Sequence, residues 1–222
     1  MTGGAYASLW TMVIVLGIYH GLNPGMGWPL AVANGLTARR SAAVFATAAP
    51  LAAGHFVAMT IVLVPFALLA AYVDRSTMIR IVAGSVVTLF GVYRFLDRGH
   101  PRFLARVRPT QIAWWSLLIA TAHGAGLMLV PVALGLCTAT PVDPSLPHAA
   151  LMRSMNASVV IAVSVSLVHT LAMIGAGLAM AWAVYRYLGL RFLRRSWLDL
   201  DRVWGASLVV TGLASIAVAL SA

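Results

Sequence analysis

Six long apolar runs decide most of what this chain can fold into. A helix needs about 20 apolar residues to cross the ~30 Å hydrocarbon core of a bilayer. Runs of that order fall at roughly 6–23, 43–72, 78–96, 111–138, 155–185 and 203–221. They are too long and too evenly apolar for barrel strands, which alternate over about 10 residues. Only 9% of the residues are charged and 61% are hydrophobic, whereas a soluble domain carries about 25% charged residues. The expectation is an all-α integral membrane protein, a single membrane domain over 1–222. The first run lacks a charged start and leads into further apolar sequence, so it is not read as a signal peptide.

Charge sets the orientation. The chain has 15 Lys and Arg, and all are arginine. Twelve of them lie in 37–42, 94–110 and 186–202, including Arg39, Arg40, Arg102, Arg106, Arg194 and Arg195. The opposite side has Arg75, Arg80 and Arg153. Arginines in short loops between apolar runs act as topology signals, so the expected partner is the lipid bilayer and not a nucleic acid. By the positive-inside rule the arginine-rich side is cytoplasmic and both termini lie outside. The expected location is a bacterial-type inner (cell) membrane, crossed several times. Arg80 and Arg202 open the third and sixth runs as snorkelling anchors. The Pro-rich, nearly uncharged segment 139–152 is expected as an outer loop. A single cysteine, Cys137, precludes an internal disulfide.

The two halves carry the same features in the same order. YHGLNPGM in the first run answers AHGAGLM in the fourth, and GHFVAM in the second answers VHTLAM in the fifth. Gly84 and Gly91 in the third run have the spacing of Gly205 and Gly212 in the sixth. Each half has three runs, an odd number, so the copies insert in opposite directions. Repeat one covers 6–96 and repeat two 111–221, a 3+3 inverted repeat of the kind that places a transporter's working site near the midplane.

Four histidines follow this repeat: His20 with His123, and His55 with His169. Ionisable residues inside spans are costly and mark function. Each lies 12 to 14 residues into its run, a depth of roughly 18–21 Å, so all four fall in one layer. Neutral imidazole is the commonest metal ligand, and four complete a tetrahedral shell. Met59 and Met173 follow His55 and His169 by four residues, on the same helical face; Met26 and Met128 lie close to His20 and His123. Imidazole with thioether is a soft set that leans to copper, while nickel, cobalt, zinc and iron also suit imidazole. There is no Glu, and Asp74, Asp97, Asp143, Asp199 and Asp201 all fall at run ends or in loops. In HGLNPGMGW, Pro24 and Gly25 break the helix after Asn23, and an unwound turn followed by a short half-helix is expected. Backbone freed in this way is tolerated where it lines a cavity or is buried in protein.

On the His20-Gly21-Leu22-Asn23-Pro24-Gly25-Met26 stretch the chain resembles bacterial nickel/cobalt efflux proteins, within the wider LysE-like transporter superfamily. Those proteins carry H-G-x-x-P-G-H in their first span, and a second span with a histidine similar to GHFVAMTIV around His55. The resemblance implies a transporter fold and a role for His20 and His55. Asn23 replaces the family's acidic residue and Met26 its second motif histidine. The segment 97–110 is short and basic where relatives carry a His-rich loop, and His123 stands where they have Gly or Pro-Cys. The His, Asn and Met set points to a softer cargo than nickel.

The leading expectation is a transporter, not an enzyme, that exports a transition-metal cation through His20, His55, His123 and His169, with Asn23, Met26, Met59, Met128 and Met173 as secondary groups. An alternative is a membrane metalloprotein or enzyme with a permanent metal or haem at the same histidines. A third is an exporter of a small organic solute.

Overall fold

A computed structural model describes residues 3–72, 77–96, 111–137, 148–188 and 200–221. Among them the chain is helical throughout, with no strand. The helices are α1 (Gly3–Leu22), α2 (Trp28–Ala38), α3 (Ala42–Ala46), α4 (Ala48–Tyr72), α5 (Thr77–Leu96), α6 (Ile112–Ala122), α7 (Ala125–Cys137), α8 (His148–Ala183) and α9 (Leu200–Ser221). A 3-10 turn at Pro24–Met26 joins α1 to α2, and a π-turn at Val184–Leu188 ends α8. Every apolar run is thus helical. The loop 97–110 and the segments 138–147 and 189–199 lie outside the described residues, as do Asp74, Asp97, Asp143 and Asp199.

Two helical stretches are long and apolar enough to cross a membrane, Ala42–Leu69 and Asn156–Leu188. The bent pair α6 and α7 makes a third if taken as one span, and Ala7–Leu22, Ile81–Leu96 and Gly205–Ala217 are shorter apolar helices. The surface agrees with a lipid setting. Ile61, Leu89, Leu118, Val160, Leu171 and Val210 are all more than half exposed, on five different helices. Soluble monomers rarely expose apolar surface on that scale. The interior, in contrast, holds polar side chains, among them His20, His55, Ser116, His123, Ser166 and His169. Several hydroxyls within helices bond the carbonyl one turn back, as in Thr60 to Phe56 at 2.8 Å and Ser166 to Ala162 at 2.9 Å, a pattern suited to a medium without water.

Three features depart from the sequence expectations. The second run is interrupted at Thr47, whose hydroxyl donates to Val44 O at 2.6 Å, between α3 and α4. The fourth run, expected as one helix, bends by 62° between α6 and α7, because Gly124 takes the left-handed conformation at φ 68°. Residues 148–152, expected in an outer loop, already belong to α8.

Packing divides the molecule into two parts. The helices α1, α4, α6, α7 and α8 form a bundle in which α8 packs against both α1 and α4, and α4 against α6 and α7. Beside it α5 and α9 pair most extensively with each other and touch the bundle mainly through α7. Their seam is made of glycine. A Cβ on Gly84 would sit 2.9 Å from Gly212 O, and one on Gly91 would sit 3.0 Å from Gly205 O. Small residues permit this approach of backbones, which helix pairs in lipid rely on.

Candidate functional site

The first break in the chain is built by its own side chains. Asn23 Oδ1 accepts from Gly25 N at 2.9 Å and caps the Pro24–Met26 turn. The indole of Trp28 donates to Leu22 O at 3.2 Å, a carbonyl at the end of α1. Gly27 turns the chain into α2 at φ 103°, a conformation open to glycine. Asn23, expected among the secondary ligand groups, therefore spends its carbonyl oxygen on the turn. Trp28 is the residue that sequence reasoning passed over; its place three residues beyond Pro24-Gly25 was the available signal.

Three of the four histidines meet above this turn. The rings of His20 on α1, His55 on α4 and His169 on α8 have centroids 5.1 Å (His20–His55), 5.4 Å (His20–His169) and 5.7 Å (His55–His169) apart. All three are 0–1% exposed. Glycines permit the approach. A Cβ on Gly17 would lie 2.7 Å from His169 O, and one on Gly21 would overlap the Met173 carbonyl. The α4 side is tied to α6 by Ser116, whose hydroxyl donates to Leu51 O at 2.7 Å, one turn before His55.

The ring nitrogens are arranged for ligation. His169 Nδ1 lies 3.4 Å from Val13 O. With Nδ1–H donating there, Nε2 carries the lone pair, the second-contact pattern typical of metal-binding imidazoles. The Nε2 atoms of His55 and His169 are buried without a hydrogen-bond partner, an expensive state for a polar atom in an apolar interior. His20 Nε2 lies 2.6 Å from Met26 Sδ. Two imidazoles on one tetrahedral ion, with N at about 2.0–2.1 Å from the metal, would have ring centroids roughly 5 Å apart. The observed separations fit that figure, but the rings of His20 stand at 74° and 88° to the other two. Among the described residues no three His, Cys, Asp or Glu form a group that could hold a metal ion.

His123 is held by its own helix. It ends α6, and its Nδ1 lies 3.0 Å from Ile119 O in its own helix. Its Nε2 faces the first break instead, 3.2 Å from where a Cβ on Gly25 would be. The methionines also separate. Met26 and Met173 share one small apolar cluster with Ile119, flanked by Trp115 and Ile174. Met59 belongs to the largest apolar cluster, with Val13, Leu63 and Leu129. Met128 packs with Val87 and Leu208 against the α5–α9 pair. Compared with known proteins, the chain matches no family model, no curated protein and no solved structure.

Proposed function

We propose that this protein is a multi-pass transporter of the cell membrane that moves a transition-metal cation, with Cu(I) the favoured cargo, out of the cytoplasm through a midplane site on His20, His55 and His169. The observation that carries this reading is the pair of buried, unpartnered Nε2 atoms on His55 and His169 beside the His20 ring. Buried lone pairs of this kind gain most from a cation. The nearness of Met26 Sδ to His20 Nε2 favours a soft ion. Among the described residues no carboxylate joins the rings, which also favours a single positive charge over two.

The architecture proposed is six spans in a 3+3 inverted repeat. Exchanging the two halves turns the Gly84–Gly212 contact into Gly205–Gly91, and both contacts occur. It likewise turns the α1–α8 packing into α6/α7–α4, and both occur. The resemblance of residues 20–26 to nickel/cobalt efflux proteins adds family-level support. By this reading the arginine-rich side is cytoplasmic and the termini lie outside.

A second reading, a permanently bound ion at the same three histidines, draws on their complete burial. Three rings in mutual contact suit a single ion and leave no gap between them for a macrocycle such as haem. An organic solute is disfavoured because no charged side chain faces the neighbouring cleft.

Flux in proteoliposomes holding a metal-sensitive dye tests the proposal. Wild-type protein is expected to carry Cu(I) or a divalent transition metal, and His55→Ala and His169→Ala to stop it. Equal flux in wild type and both variants would sink the transporter reading. Stoichiometric metal that survives purification and dialysis would favour the second.

A further inference from the structure

The triad is closed on one side and approached on the other. Toward the proposed outer face it is covered by the largest apolar cluster, with Val13, Met59, Leu63, Leu129 and Val165 all fully buried. On the other side a partly open cleft runs past Met26, Trp28, Leu51, Met173 and Gly177. Chain direction fixes which side this is. From His20 the chain passes through the turn into α2 and reaches Arg39 and Arg40; from His169, α8 runs through Gly177 to Arg186. The cleft thus lies between the triad and the arginine-bearing end of the bundle.

Among the described residues the cleft lining is uncharged, and its heteroatom side chains are Met26, Met173 and Trp28. The Trp28 N–H is committed to Leu22 O. Two thioethers are left, packed in one cluster, and the first already touches His20 Nε2. A strongly hydrated divalent ion would find nothing here to replace its water, whereas a soft monovalent ion binds thioether well.

Resting on the transport reading above, we propose that this cleft is a loading site in which Met26 and Met173 take a monovalent soft cation from the cytoplasmic side and pass it to His20. The transfer is a ligand exchange. A sulfur lone pair leaves the ion as the Nε2 lone pair takes it up, and the oxidation state is unchanged.

Ag(I), a redox-stable monovalent probe, is titrated into the full-length protein in detergent, with Zn(II) in parallel. Met26→Leu/Met173→Leu conserves side-chain volume. It is expected to weaken Ag(I) binding at least about tenfold, with Zn(II) changed less than about twofold. Unchanged Ag(I) affinity, or an equal loss for both ions, overturns the loading site. If the wild-type chain binds neither ion, the transport reading itself fails. Access is tested without metal. In a Cys137→Ser background, Leu178→Cys lines the same cleft. A membrane-impermeant thiol reagent should label it in inside-out vesicles alone; labelling from the outer face, or none from either, overturns cytoplasmic loading.

Discussion

The chain interrupts its helices twice beside histidines, after Leu22 and after Ala122, and the two breaks are made differently. The first spans five residues and is held by groups brought for the purpose: Asn23 Oδ1 on Gly25 N, Trp28 on Leu22 O, and the left-handed Gly27. The second is a two-residue bend in which Gly124 supplies the left-handed turn and the His123 ring bonds its own helix through Ile119 O. Where other residues serve the break, the histidine ring projects into a shared site. At the second break the His123 ring bonds the end of its own helix. Two segments with the same His-Gly pair thus divide the labour, and the site departs from the symmetry that the repeat suggests.

The comparison is exposed most strongly by metal flux. His20→Ala is expected to reduce it about a hundredfold or more, the scale of losing a ligand together with what it orients; His123→Ala should cost no more than about threefold. Equal losses would mean that both breaks feed the site. The next largest effect is on stability. Gly21→Ala places a methyl on the Met173 carbonyl, which backbone cannot easily yield, at a cost of about 3 kcal/mol or more. Gly124→Ala meets the Phe90 ring, which can turn aside, so the left-handed strain of about 1–2 kcal/mol dominates. Thermal melts in detergent should rank Gly21→Ala below Gly124→Ala; the reverse order would make the second break the tighter one. Asn23→Ala removes the cap of the first turn for about 1 kcal/mol, and Asn23→Ser should recover part of the lost melting temperature. Smallest is Gly175→Ala in α8. With nothing within 4 Å of the new methyl, it should stabilise the helix by about 0.5–1 kcal/mol. A destabilising result there would show that α8 packs more closely than described.

Much of this was legible in the residues. Apolar length predicted that the long runs are helical, Pro24 and Gly25 predicted the first break, and depth placed the four histidines in one layer without saying which of them face one another. The second break was not legible, because Gly124 and Gly126 lie in an apolar run without proline at the bend, and a glycine alone tolerates helix as readily as a turn. Nor was the bond of the His123 ring to Ile119 O in its own helix. Depth along a helix says nothing of rotation about its axis, and a bend of 62° between α6 and α7 redirects everything near it. The methionines divided for the same reason. The spacing of Met59 and Met173 from their histidines is identical, yet one packs in the largest apolar cluster and the other beside the cleft.

The length of α8 has a consequence for the surrounding lipid. Its 36 residues measure about 54 Å at 1.5 Å per residue, against a hydrocarbon slab of about 30 Å. Even a lean of 40° lets such a slab take up only about 39 Å of axis. In a bilayer the helix must then stand well clear of the acyl chains at one end or both, or thicken the membrane locally. Because His169 sits on this helix, any such mismatch bears directly on how deep the imidazoles lie.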